Sequence, residues 1–145
     1  MKDIHSNFNF AVVLGTAVYS ADNTPAAIDL QGVNAAEIIL AIGAGGITFS
    51  GTNKIEFVLT HSDDNSTYTN VTDADMLGVT GIANGIIKSL IAAHATPAVY
   101  RFGYKGPRRY LKLLADFSGT HGTGTPISAL LMRGHQHSNP QPNQA

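Results

Sequence analysis

Six histidines, ten carboxylates and two glycine-rich runs are the groups in this 145-residue chain whose chemistry could build a site. His135 and His137 would fall on one side of an extended segment, a spacing that suits a metal ion. They stand in a stretch of Asn, Gln and Pro with little to bury. His5, His61, His94 and His121 have no close-spaced partner, which fits surface or capping roles better than ligation. Asp63-Asp64-Asn65 starts like a calcium loop but lacks the glycine at the turn and the bidentate Glu, so a hairpin turn is expected. Gly43-Ala44-Gly45-Gly46 has neither the Lys-Ser/Thr nor the following helix of a phosphate loop and reads as a tight turn. Asp73 and Asp75, two apart, would not share a helical face as a glycosidase pair must meet across its substrate. With no cysteine and no Gly-x-Ser-x-Gly elbow, nucleophilic catalysis has no local signature. A triad assembled from distant residues leaves no mark in spacing, so a hydrolase is kept as the weakest alternative.

The remaining constellation is cationic. Lys105, Arg108 and Arg109 surround Gly106-Pro107 and interleave with Tyr104 and Tyr110, a combination that stacks on bases or sugars or pairs with carboxylates. It reads as a solvated hairpin tip, a protein contact or a nucleic-acid contact. A formal net charge of −1 gives no electrostatic footprint for nucleic acid or an anionic membrane. Only 13% of residues are charged, against about 25% in an ordinary soluble domain, while 43% are hydrophobic. Either neutral polar residues solvate the surface or neighbours in an assembly cover much of it.

The elements that must position these residues are strands. Residues 10–19, FAVVLGTAVY, are Val-rich and too short to span a bilayer; the polar residues before them make a poor secretory n-region. Alternating apolar residues predict further strands over 26–31, 36–42, 54–60, 67–71, 86–91, 100–105, 109–117 and 127–132. Helix competes over 36–42, where Ala, Glu and Leu favour it. Thr72 or Asp73 would cap one helical turn before Leu77, and Asn84-Gly85 signals a tight reversal. Closely spaced strands with Gly, Pro and Asn punctuation predict an all-β fold, an antiparallel β-sandwich of jelly-roll type with about eight strands. Residues 1–9 would form an N-terminal arm, 10–133 the domain and 134–145 a flexible C-terminal tail.

Four stretches then carry a resemblance: GGITFSGTNKIEF over 45–57, His61-Ser62-Asp63-Asp64, Arg109-Tyr110-Leu111-Lys112-Leu113 and ADFSGTHGTGTP over 115–126. Together they resemble the small capsid-associated cementing, or decoration, proteins of tailed phages. The resemblance covers nearly the whole chain and rests on no catalytic motif. It implies a jelly roll on the outer surface of an icosahedral virion head, made in the host bacterial cytoplasm, that joins neighbouring major capsid proteins and forms a homodimer at two-fold axes. It implies no enzymatic role and no cofactor, while the charge balance predicts no nucleic-acid or membrane partner and the histidine spacing predicts no metal. Ile4, Phe8 and Phe10 are then expected to dock the N-terminal arm, with Lys105, Arg108 and Arg109 as further interface residues. The runs IEFVLTHSDDNSTY and RRYLKL also resemble galactose-binding jelly rolls, so a carbohydrate-binding module that takes surface glycans is the alternative.

Overall fold

The computed structural model describes residues 3–138, 140–142 and 144. Met1 and Lys2 of the expected arm, and Asn139, Asn143 and Ala145 of the expected tail, lie outside the described residues.

Ten strands follow the apolar alternation: β1 (Asn9–Tyr19), β2 (Ile28–Asp29), β3 (Val33–Ile42), β4 (Lys54–Ser62), β5 (Thr69–Asn70), β6 (Met76–Leu77), β7 (Ile86–Leu90), β8 (Ala98–Tyr104), β9 (Tyr110–Ser118) and β10 (Thr125–Gln136). In β4 every second residue, Ile55, Phe57, Leu59 and His61, is buried, and in β9 Leu111, Leu113 and Ala115 are. That period of two is what a strand with one covered face requires. Five strands form one antiparallel sheet in the order β1-β10-β3-β8-β6. The other sheet runs β2-β9-β4-β5, with β7 also paired to β4. Ile38, Leu40, Ile42, Ile127, Ala129 and Leu131 of the first sheet share one core with the inward residues of the second. Each fully buried Leu, Ile or Phe contributes roughly 1.5–3 kcal/mol.

The helix alternative over 36–42 fails because β3 is central, hydrogen-bonded to β10 on one side and β8 on the other. Two-sided pairing with inward Ile and Leu outweighs the weak intrinsic preference of Ala and Glu. Thr72 does cap a single 3-10 turn, Asp73–Asp75, through a box in which Thr72 N–H donates to Asp75 Oδ2 at 2.9 Å. The strand expected over 67–71 shrinks to the two-residue β5, and β6, also of two residues, forms where one helical turn was expected to run on to Leu77, bringing the total to ten against the expected eight or so.

Asn84 and Gly85, at φ of 53° and 77°, close a tight turn in which Ile86 N–H reaches the Ala83 carbonyl at 3.0 Å. The glycine run serves close approach as well as turning. A Cβ on Gly46 would sit 1.8 Å from the Gly124 carbonyl oxygen, so only glycine lets the 43–46 and 118–125 loops touch.

Both ends depart from the expected boundaries. β10 runs past residue 133, pairing Gly134 with Ala35 and Gln136 with Val33. Gln141 N–H donates to the Ser6 carbonyl at 3.0 Å, and the Gln144 amide both accepts from Phe10 N–H and donates to the Phe10 carbonyl at 2.8 Å. The Gln144 side chain thus satisfies the outer edge of β1 at Phe10, a role that a search for buriable apolar residues does not register. The outer edge of β9 is closed in the same way. Asn23 accepts from Ala115 N–H and donates to the Leu113 carbonyl, and Asp22 accepts from Phe117 N–H.

Candidate functional site

Pairing register fixes what the first sheet shows to the outside. Inward residues alternate with outward ones, so the rows Phe10, Met132, Glu37, Gly103, Leu77 and Val12, Leu130, Ile39, Arg101 lie across the outer face. Ser128, Ala41 and Val99 form a third row, and Val18 with Pro126 a fourth. Among the described residues eight large apolar side chains are well exposed, and six of them, Phe10, Val12, Val18, Leu77, Val99 and Leu130, are on this face. Val12, Val18 and Val99 are 61–65% exposed. The only charges in those rows are Glu37 and Arg101, paired to each other at 3.5 Å. An antiparallel sheet with one face on the core ordinarily presents polar residues on the other.

The second sheet obeys that rule. Its outer face carries Lys54, Glu56, Thr60, Lys112 and Asp116 around Val58 and Leu114, with Lys54 and Glu56 paired at 2.7 Å. The strongly apolar outer face is therefore specific to the β1-β10-β3-β8-β6 sheet.

A groove of about 720 Å³ adjoins the lower rows of the apolar face, where Glu37, Leu77, Gly103 and Met132 belong to both. Phe8 forms one end of it, lying against Gly134, and the 105–109 turn forms the other. Four of the six expected interface residues, Phe8, Lys105, Arg108 and Arg109, thus line a single concavity. Phe10 is on the adjoining sheet face. Ile4, 72% exposed, is in neither; it precedes the 3-10 turn His5–Asn7.

The cationic turn is fixed from below. Tyr104, buried at the end of β8, places its hydroxyl 3.0 Å from His61 Nδ1 on β4 and accepts from Arg108 N–H at 3.2 Å. Gly106 lies flat against the same ring. Burial pushes the His61 imidazole below its usual 6.5, with the Asp75 carboxylate opposing, and pushes the Tyr104 phenol above 10.0. Arg109 clamps Asp29 with two bonds of 2.7 and 2.6 Å and also reaches Gln31, tying β2 to β9. That bond to Arg109 holds the Asp29 carboxyl below its ordinary range. Arg108 has one long contact with Asp63, 3.8 Å, and Lys105 makes no ion pair among the described residues.

Other sequence candidates are absorbed by structure. Asp64 accepts from Thr67 N–H, Ser66 N–H and the Ser62 hydroxyl, which lowers its pKa to about 2 and makes it the organiser of the hairpin turn. Asp73 accepts from Gly81 and Ile82 N–H, closing the 73–82 loop. His94 bridges the Gly43 carbonyl and the Tyr100 hydroxyl. His121 packs edge-on against Phe117.

No protein-family model, no curated protein and no solved structure matches the chain. Function therefore rests on geometry. Apart from Phe10, the outer-face residues were missed from sequence, although a signal was present. Val12-Val13, Ile38-Ile39-Leu40 and Leu130-Leu131-Met132 are apolar at consecutive positions, and in an antiparallel sheet consecutive apolar residues put oil on both faces.

Proposed function

We propose that this chain is a capsid cementing protein, a non-enzymatic jelly roll that docks on the outside of a phage head through the apolar outer face of its β1-β10-β3-β8-β6 sheet. The carrying observation is that face: roughly 500 Å² before side-chain relief, the order of the ~800 Å² that each partner buries in a standard interface. Large apolar patches on a surface mark docking sites.

Strand order supports the jelly-roll type. With the two-residue β5 and β6 set aside, the chain pairs β1 with β10, β2 with β9, β3 with β8 and β4 with β7. First joins last and the pairing continues inward, the pattern of one long antiparallel ribbon rolled into two sheets. The major capsid protein is the main partner. Self-pairing at two-fold axes is the second contact in this reading. A ligand that binds only the assembled shell stabilises it by mass action, and symmetry repeats each contact around the head.

The carbohydrate-binding alternative has less support. Sugar recognition relies on open aromatic faces, whereas Tyr68, Tyr100 and Tyr110 are each covered by a cation of this chain, Lys112, Lys88 and Arg109, at 4.1, 4.2 and 4.9 Å.

The test uses heads of the encoding phage stripped of this protein. Wild-type protein added back restores resistance to heat, and Leu130→Asp, equally folded, does not. Stripped heads as robust as decorated ones, or undiminished binding by Leu130→Asp, would overturn the proposal.

A further inference from the structure

The groove beside the cationic turn has a chemistry of its own. Its lining is apolar at Phe8, Leu30, Val33, Met132 and Leu77, and small residues, Ala36 and Gly103 among them, keep the middle open. Its volume, about 720 Å³, is within the roughly 300–1,000 Å³ of sites that enclose ligands. The rim is positive. Arg109 is already committed to Asp29, but Lys105 makes no ion pair among the described residues and Arg108 only the long one to Asp63. The one carboxylate in the lining, Glu37, is neutralised from outside by Arg101. Lys105 therefore stands over an apolar trench with no ion pair among the described residues, and beside it Arg108 is held only by the long contact with Asp63.

We infer that this groove binds an extended acidic peptide segment of a partner protein, apolar side chains seated between Phe8 and Leu77 and a carboxylate on Lys105 and Arg108. Charge complementarity selects the occupant: Arg forks carboxylates and Lys adds a point charge. Nucleic acid fits less well, because Tyr104 is buried and Tyr110 carries Arg109 on its ring, leaving Phe8 as the one aromatic in the lining free of both constraints, where a single strand is ordinarily held on several stacking rings. The rigid seat of the turn on Tyr104 holds the cations in place before binding, which lowers the ordering cost. The groove needs no shell to work, so its test is separate from that of the capsid role.

Three labelled synthetic peptides, alternating Asp-Leu, Asp-Ser and Lys-Leu, and a single-stranded oligothymidine are titrated with the full chain and followed by fluorescence anisotropy. Asp-Leu is expected to bind at least roughly ten-fold tighter than the other three probes. Lys105→Glu with Arg108→Glu is expected to remove at least about ten-fold of that affinity, while Lys54→Glu on the opposite sheet leaves it unchanged. Lys105→Glu alone, at an exposed side chain, provides the reading if the double variant melts early. Equal binding of Asp-Leu and Lys-Leu, absence of any peptide binding, tighter binding of the oligothymidine, or indifference to Lys105→Glu would each overturn the inference.

Discussion

Removing one oxygen, by Tyr104→Phe, tests whether the cationic turn is held as described. The ring stays and the apolar packing with it, so the loss is confined to hydrogen bonding. Tyr104 is 6% exposed, and its hydroxyl serves Arg108 N–H at 3.2 Å and His61 Nδ1 at 3.0 Å. An orphaned buried polar group costs about 1–3 kcal/mol. Arg108 lies near the surface and water can reach part of its backbone, whereas His61 is enclosed. The sum is expected near 2 kcal/mol, which for a domain of this size lowers Tm by roughly 4–8 °C. Urea denaturation gives the free energy, and amide hydrogen exchange at Arg108 gives the local effect, expected to speed up beyond the global change. A loss under about 0.5 kcal/mol with unaltered exchange at Arg108 would refute the reasoning and detach the turn from its buried seat.

The same network sets a pH dependence. His61 is held below 6.5 in the folded state, so the unfolded chain binds the extra proton; stability is full above the unfolded pKa and falls as pH drops through 6.5 towards the lower folded value. Denaturation midpoints between pH 5 and 7.5 should show that slope, and His61→Asn should flatten it. Asn23→Ala removes an acceptor for Ala115 N–H and a donor for the Leu113 carbonyl, so a cost of about 1–2 kcal/mol in urea unfolding is expected, together with faster exchange at Ala115. Gly46→Ala drives a methyl into the Gly124 backbone and should cost more than about 3 kcal/mol, read as loss of the cooperative melt or a steep fall in Tm.

The strands were legible because β4 and β9 alternate cleanly between buried and outward residues. β3 was harder. Its residues favour a helix locally, and only its central place between β10 and β8 decides for strand. The cationic turn could be found by composition, but its union with Phe8 in one groove depends on Gly134 and Ala35 pairing across β10 and β3, a contact between residues about a hundred positions apart that no local pattern encodes. Least legible were the edge closures by Asp22, Asn23 and Gln144. A polar side chain that substitutes for a missing strand looks in sequence like any loop residue.

The pairing of Asn9 with Arg133 places the start of β1 beside the end of β10. Tension applied through the two ends of the chain would open that ladder like a zipper, one rung after another, because the rungs lie across the strands and are loaded singly. A stress entering through the broad sheet face is instead shared by many rungs at once. The molecule is thus mechanically anisotropic: frail along its own tether points and stiff across the broad outer face of the β1-β10-β3-β8-β6 sheet.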